Sequence, residues 1–201
     1  MKAIPYMHPT IYNLYLLALH GKSLEKRYRF ISGEIGGGQR VFEPGCGTGI
    51  LAGYLYKSCD YVGWDMNPAF VTYLKRKGYN AEMHDILDFE NYPENDVCVI
   101  VDVLHHIVPK EQILIENALK TTKKLIVVEP YEAFSSPLPY RIRKYYDSFL
   151  GDNDGINPYD NRVNWAYSPE ELKKYFTSLG AHKIAEIGKD IMAVFHPDKC
   201  E

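Results

Sequence analysis

Short apolar runs alternate with helical patterns along most of this chain. Five runs predict buried strands, at residues 39–44, 60–65, 80–85, 96–104 and 123–130. Apolar positions at helical spacing predict helices in four segments, at residues 48–57, 68–78, 109–122 and 168–180. This alternation of strands and helices is typical of a doubly wound α/β fold with a parallel sheet.

Two helices precede the alternation, and two strands follow it. Residues 10–20 and 23–33 predict the helices, and we interpret residues 1–35 as a helical cap. Residues 181–188 and 190–197 predict strands that are joined by a tight turn at "GKD". Strands joined by a turn alone must pair antiparallel. The length of 201 residues fits one domain.

The connection at residues 131–167 is much longer than the others. Its 37 residues are rich in aromatic side chains, whereas a strand-to-helix connection usually takes only a few residues. It leaves the sheet at the end of the fifth predicted strand, where α/β folds place substrate contacts. An apolar mini-core is the alternative to a functional segment. We predict an inserted substrate lid that includes Tyr12, Glu129, Tyr131, Tyr140 and Trp165.

Composition and charge narrow the functional classes. Apolar residues make up 46% of the chain, enough for a core, and the net charge of −3 argues against a dedicated nucleic-acid binder. The N-terminal apolar run ends at His20, is too short to span a bilayer and lacks a signal-peptide cleavage pattern. We therefore expect a cytoplasmic protein without a membrane partner. Four scattered cysteines predict free thiols and no metal site.

The stretch "VFEPGCGTGI" at residues 41–50 has glycines at positions 45, 47 and 49. It follows the first predicted strand, and ligands of doubly wound sheets bind beyond the carboxyl ends of the strands. Glycines there allow a tight turn and a close approach of ligand to backbone. The dinucleotide fingerprint G-x-G-x-x-G does not fit, because Ile50 stands where its third glycine belongs. A P-loop would need Gly-Lys-Ser/Thr, which is absent.

Two acids end the next two predicted strands. Asp65 follows the second strand, 20 residues after Gly45, where an acid would hold ribose hydroxyls. Asp85 follows the third strand and is placed to bind an adenine amine. Together with the missing phosphate clamp, these acids predict a nucleoside ligand without phosphates. The alternative is that both acids cap helices and that the glycines form an ordinary turn.

Five motifs now stand in a characteristic order: "VFEPGCGTG", "VGWDMNP", "HDILDF", "VIVDVLHHI" and "KKLIVVEP". In order and spacing they resemble the motifs of class I S-adenosylmethionine (SAM) methyltransferases of the small-molecule type. The resemblance covers residues 39–130 and 181–196. It implies a seven-stranded, mostly parallel, Rossmann-like sheet with helices on both faces. The implied strand order is 3-2-1-4-5-7-6, with the last strand antiparallel.

The resemblance also implies how this chain would bind SAM. Glu43, Gly45 and Gly47 would shape the methionine end of the site. Asp102 would border the methionine moiety, and Asp65 would bind both ribose hydroxyls. The adenine would lie against Met66 and the backbone of Ile86, with its amine on Asp85. The complete implied cofactor site consists of Glu43, Gly45, Cys46, Gly47, Asp65, Met66, Asp85, Ile86 and Asp102.

Methyl transfer from a sulfonium is an in-line displacement, so the enzyme mainly positions the acceptor. A base is needed only when the acceptor starts protonated. His105 and His106 follow the fourth predicted strand and are the catalytic candidates, although both can also be structural. We expect a small-molecule acceptor with an oxygen, nitrogen or carbon nucleophile. The alternatives are a protein or RNA methyltransferase, a SAM-binding scaffold without activity and a Rossmann-type oxidoreductase.

Overall fold

The computed structural model describes residues 2–55, 57–131, 139–151, 153–157 and 164–197, without the side chains of three residues in the helix that begins at Tyr140. Seven strands form one sheet in the order β3-β2-β1-β4-β5-β7-β6. Their bounds are β1 Arg40–Pro44, β2 Asp60–Trp64, β3 Ala81–Glu82, β4 Val97–Val101, β5 Lys124–Pro130, β6 Lys183–Ile187 and β7 Asp190–Phe195. This strand order confirms the one implied by the sequence motifs.

Eight α-helices surround the sheet in the described part of the chain. Two precede β1, one follows each of β1 and β2, two connect β4 to β5, and two lie between β5 and β6. Their bounds are α1 Pro9–His20, α2 Ser23–Ile35, α3 Ile50–Leu55, α4 Pro68–Arg76, α5 Leu104–Ile107, α6 Glu111–Thr121, α7 Tyr140–Phe149 and α8 Pro169–Ser178.

The first five strands are parallel, and β7 runs antiparallel to both of its neighbours. β1 lies between β2 and β4, and its residues Val41 and Phe42 pair with Val97 and Cys98. β7 pairs antiparallel with β5 and with β6, which confirms the predicted hairpin. Because β1, β2 and β4 are parallel, their carboxyl ends meet at one edge of the sheet.

Two hydrophobic clusters cover the two faces of the sheet. Successive side chains of a strand point to opposite faces, so Val41 and Phe42 belong to different clusters. One cluster packs α2, α3 and α4 against the sheet, and the other packs α6 and α8. The strands β4 and β5 are apolar and buried on both faces, as the continuous apolar runs in their sequence predict.

The structure departs from the predicted elements at two places near the ligand edge. β3 is only two residues long, and beyond it the Asp85 carboxylate accepts the N–H of Leu87 in a turn. β4 ends at Val101 instead of residue 104, where α5 already begins. The reason is Glu129, whose Oε1 accepts the N–H groups of Val103 and Leu104 at 2.6 and 2.7 Å.

The third glycine of the loop after β1 is required by packing. Gly49 has φ +69°, and a Cβ at this position would lie 2.0 Å from Cδ2 of the buried Leu74. An L-residue would therefore strain the backbone and push α4 away from the loop.

We predict that Gly49→Ala lowers the free energy of unfolding by about 2–4 kcal/mol, the sum of a clash and of unfavourable φ. Gly37→Ala is the matched control, because its nearest heavy atom would be a carbonyl oxygen at 3.8 Å and its φ is not positive. Urea denaturation of both variants measures the difference. Equal stability of the two variants would contradict this account of Gly49.

Candidate functional site

A cavity of about 220 Å³ lies at the carboxyl ends of β1, β2 and β4. Loops after these strands border it, together with the N-terminal helices and residues 154–157. All nine residues of the predicted cofactor site line this single cavity: Glu43, Gly45, Cys46, Gly47, Asp65, Met66, Asp85, Ile86 and Asp102.

Other lining residues come from segments outside the sheet. The N-terminal part of the chain contributes Tyr6, Tyr12, Leu16 and Tyr28. Residues 154, 156 and 157 lie against the N-terminus, where the N–H of Ala3 donates to the carbonyl of Asn153 at 2.9 Å. The remaining lining residues are Thr48, Ile50, Asn67, Phe70, Leu87, Val101, Val103, His106, Ile107, Asp154, Ile156 and Asn157.

Asp65 ties the glycine loop to the end of β2. Its Oδ2 accepts the N–H of Gly47 at 2.8 Å, and its Oδ1 accepts the N–H of Asn67 at 2.7 Å. A carboxylate has about four lone-pair sites, so two remain for a ligand. A Cβ at Gly47 would meet only the ring of Tyr12, at 3.8 Å, so the loop backbone here lies open to the cavity.

The two acids nearest the glycine loop are both hard to ionise. Burial raises the pKa of Asp65 to about 6, although two backbone N–H groups oppose this shift. Burial raises the pKa of Glu43 to about 8, against the opposing effect of the Tyr61 hydroxyl, which donates to Glu43 Oε2. A cationic ligand in the cavity would favour the charged form of both acids.

Asp85 and Met66 are the more exposed members of the predicted cofactor site. Asp85 Oδ1 accepts the N–H of Leu87 at 2.9 Å, and the carboxylate also borders the cavity. Its role in the turn and a role in ligand binding are therefore compatible. The Met66 side chain is 41% exposed at the cavity.

Arg27 is a buried residue next to the site that the sequence analysis missed. It is 1% exposed, and its Nη2 lies 2.6 Å from Asp102 Oδ1. Its Nε lies 3.5 Å from Asp190, so the side chain joins α2 to the ends of β4 and β7. The helical spacing could have indicated that Arg27 is buried, because it lies on the same face of α2 as the buried Ile31 and Ile35.

Asp102 has a backbone conformation that is unusual for a non-glycine residue, with φ +55°. The Arg27 guanidinium outweighs the effect of burial and holds the pKa of Asp102 below its usual range. Burial raises the pKa of Asp190 to about 7. Asp102 is therefore the main counter-ion of Arg27, and this pair fixes the point where the chain leaves β4 at the cavity.

The two candidate histidines have different surroundings. His106 lines the cavity, and its Nδ1 lies 3.2 Å from Asp154 Oδ2. Burial raises the pKa of Asp154, but His106 and two backbone N–H groups outweigh this effect and lower it below its usual range. His105 is buried instead, and its Nδ1 lies 2.7 Å from Oε2 of the fully buried Glu129.

The residues predicted to form a lid are not all at the cavity. Tyr12 lines it, but Glu129 is buried below the turn after β4. Tyr131 and Trp165 pack in the cluster that covers α6 and α8, where the Trp165 indole donates to the carbonyl of Pro130 at 2.8 Å. The side chain of Tyr140 lies outside the described part of the chain.

Comparison with known proteins agrees with this fold. The family described as "Methyltransferase domain" matches residues 42–125, from β1 to the start of β5. No curated protein has a significantly similar sequence. Together with the strand order, this match supports the resemblance to class I SAM-dependent methyltransferases that the sequence motifs indicate.

Solved structures with a similar fold include three methyltransferases or their complexes. Magnesium protoporphyrin IX methyltransferase from Synechocystis PCC 6803, with bound SAM, is 16% identical, with 88% of this chain and 79% of that chain covered and a TM-score of 0.56. The N-methyltransferase NodS from Bradyrhizobium japonicum WM9 is 17% identical, with 92% and 97% covered and a TM-score of 0.56. DhpI in complex with S-adenosylhomocysteine is 17% identical, with 79% and 76% covered and a TM-score of 0.54.

We predict that Glu43→Gln changes how stability depends on pH. The unfolded chain loses the Glu43 proton near pH 4.5, whereas the folded chain keeps it until about pH 8. Wild-type stability should therefore fall across this range, by on the order of 1 kcal/mol per pH unit, and this slope should be missing in the variant. Urea denaturation at several pH values measures it.

The exposed Glu90 provides a control for the loss of one negative charge. Glu90→Gln should keep the wild-type slope, because its carboxyl is in water in both states. Parallel stability curves for wild type and Glu43→Gln would contradict the assignment of the buried proton to Glu43.

Proposed function

We propose that this methyltransferase transfers a methyl group from SAM to a small molecule that carries an oxygen, nitrogen or carbon nucleophile. The observation that carries the proposal is the single cavity that brings the glycine loop, Asp65 and Asp85 together with His106 and Asp154. The first group would hold SAM, and the second group would act on the acceptor.

The charges of the cavity suit SAM. Its described lining contains five carboxyl groups and neither lysine nor arginine; the five are Glu43, Asp65, Asp85, Asp102 and Asp154. Such a lining disfavours phosphates and favours a cation. SAM supplies a methyl group on a positively charged sulfur, next to a nucleoside without phosphates.

The donor and acceptor groups of this chain also suit SAM. Asp65 has two free lone-pair sites for ribose hydroxyls, and Asp85 can accept from the adenine amine. The open space at Gly47 lets the methionine moiety approach the backbone. Glu43 and Asp102 would border that moiety, with Cys46 and Gly45 beside it and Met66 and Ile86 at the adenine.

His106 is the group that we propose to act on the acceptor. Asp154 lies 3.2 Å from Nδ1 and can hold the imidazole ring in a fixed orientation at the cavity. In this orientation the imidazole would take the proton of a protonated acceptor, or orient an unprotonated one. His105 is buried against Glu129, and we assign it a positioning role in the turn between β4 and α5.

Residues 131–167 and the N-terminal residues 1–35 would enclose the acceptor. The support for this lid is that Tyr6, Tyr12, Asp154, Ile156 and Asn157 border the cavity. Among the residues predicted for the lid, Tyr12 borders the cavity. Tyr131 and Trp165 pack in the hydrophobic core instead and would anchor residues 131–167 to it.

A protein or RNA methyltransferase is the main alternative, and a SAM-binding scaffold without activity is another. The cavity lining disfavours RNA, because none of its described residues is a cation that could contact phosphate. A scaffold would not need the His106–Asp154 pair in the cavity. For location, we propose the cytoplasm, since Cys46, Cys59 and Cys98 are free thiols, as in a reducing compartment.

We predict that Asp65→Asn weakens SAM binding by about 10- to 100-fold, because charge-assisted hydrogen bonds to the ribose are lost. Asp85→Asn should weaken it less, because one bond from an exposed side chain is affected. Asp88→Asn is the matched control, since Asp88 does not line the cavity. Titration calorimetry with SAM and S-adenosylhomocysteine measures all three variants.

NADH should not compete with SAM in this titration, because the dinucleotide fingerprint and the phosphate contacts are missing. Binding of NADH in place of SAM would refute the proposed cofactor. Unchanged affinity of Asp65→Asn would refute only the ribose assignment.

We predict that His106→Gln lowers kcat by about 10²–10⁴-fold, the usual contribution of a general base, while the affinity for SAM changes little. Asp154→Asn should lower kcat less, because the imidazole remains but loses the carboxylate that orients it. The acceptor must first be identified. The protein is incubated with a cell extract and SAM that carries a labelled methyl group, and mass spectrometry then identifies the labelled product.

His84 supplies a matched control for these rates, because it stacks on Trp64 at a ring distance of 4.2 Å and does not line the cavity. His84→Gln should keep the wild-type kcat. A wild-type kcat in His106→Gln would contradict the catalytic role and leave His106 with a structural role only. No labelled product in any extract would favour the scaffold.

A further inference from the structure

The helix α1 has an apolar surface that the rest of the described chain leaves uncovered. Between Lys2 and Lys22 the sequence contains no Asp, Glu, Lys or Arg. On this segment several large apolar side chains are 43–65% exposed: Ile4, Met7, Ile11, Leu14, Leu17 and Leu19. A monomeric protein rarely exposes so many neighbouring apolar residues without a function.

The helix α7 has a second exposed apolar surface. Its apolar residues recur at helical spacing, and each of the following is 40–69% exposed: Ile142, Tyr145, Tyr146, Phe149 and Leu150. The apolar residues of α8 are buried in contrast, since Leu172 and Phe176 are 0% exposed. The helices α1 and α7 therefore differ from α8 within the same fold.

Cations accompany both surfaces. Lys22 and Lys26 are exposed just after α1, and Arg141 is exposed on α7 beside Ile142. The sequence of α7, "YRIRKYYDSF", has three cations and one acid, whereas the whole chain has a net charge of −3. Cations next to leucines, isoleucines and tyrosines are typical of helices that lie in the interface of an anionic bilayer.

Both surfaces belong to segments that border the cavity. Tyr12 and Leu16 of α1 line it, and so do Asp154 and Ile156, which follow α7 closely in the chain. The two segments also touch, because the N–H of Ala3 donates to the carbonyl of Asn153. Two binding elements near each other reinforce one another by avidity.

We propose that the exposed faces of α1 and α7 bind the surface of an anionic phospholipid bilayer. No helix in the described residues has the length and apolar composition to cross a membrane, and a helix lying in the interface needs neither. The sequence analysis expected no membrane partner because the N-terminal apolar run is too short to span a bilayer. That reasoning did not consider binding to the membrane surface, and this proposal revises it. The proposal is independent of the identity of the acceptor.

Flotation of the full chain with vesicles tests the proposal. The protein should float with vesicles of phosphatidylcholine and phosphatidylglycerol, and much less with phosphatidylcholine alone. Binding should weaken at about 1 M salt, where the Debye length is only ~3 Å. Absence of flotation with the anionic vesicles overturns the proposal.

Substitutions locate the surface. Leu14→Ser with Leu17→Ser should lower the partition coefficient about tenfold or more, because two apolar side chains no longer enter the lipid. Phe149→Ser tests α7 in the same way, and Arg141→Glu tests its charge. Ile113→Ser is the matched control, since Ile113 is 48% exposed on α6 and away from both surfaces in the sequence.

A second measurement separates lipid binding from self-association. Circular dichroism melting first confirms that each variant folds, and analytical ultracentrifugation of the wild type gives its oligomeric state. If the wild type is an oligomer and Leu14→Ser with Leu17→Ser makes it a monomer, α1 is an interface between copies and the proposal is wrong. A loss of flotation in Ile113→Ser equal to that in the leucine variant also overturns it.

Discussion

The parallel pairing of β1 with β2 and β4 is the constraint on which the site depends. It brings Pro44, Trp64 and Val101 to one edge, so the loops after three strands share a single cavity. The Gly47–Asp65 hydrogen bond then joins two of these loops directly. A shift in the register between β1 and β2 would separate these groups, and therefore residues far apart in the sequence form one site only while the sheet is intact.

Buried charges fix the third loop at this edge. Glu129 on β5 accepts the N–H groups that end β4, and Arg27 on α2 holds Asp102. Buried ions are costly unless they are paired and hydrogen-bonded, and replacing one partner leaves the other uncompensated. These two arrangements thus contribute less to net stability than to a defined backbone path, which places Val103 and His106 beside the glycine loop.

The sequence predicted the strands from local rules and the strand order from the family resemblance, and the residues that it predicted for the cofactor site line one cavity. Apolar runs determine the strands, and side chains at strand ends must meet at the ligand edge, as Asp65 and Asp85 do. It did not predict the partner of His106, because Asp154 comes from a distant segment whose position depends on tertiary contacts with Ala3. Arg27 was missed for a related reason. Helical periodicity can identify a buried position, but it cannot identify the distant acids, Asp102 and Asp190, that stabilise a buried cation there.

The two sides of the cavity differ in what constrains their sequence. The proposed cofactor side is built from strand ends, where a residue must satisfy both the sheet and the ligand, and the family match at residues 42–125 covers this part. The proposed acceptor side is built mostly from the N-terminal segment and residues 154–157, which lie outside that match. These segments need only pack against the edge of the sheet, so their side chains can vary with the acceptor. The cofactor side therefore indicates the class of reaction, whereas the acceptor has to be inferred from Tyr6, Tyr12, His106 and Asp154 themselves.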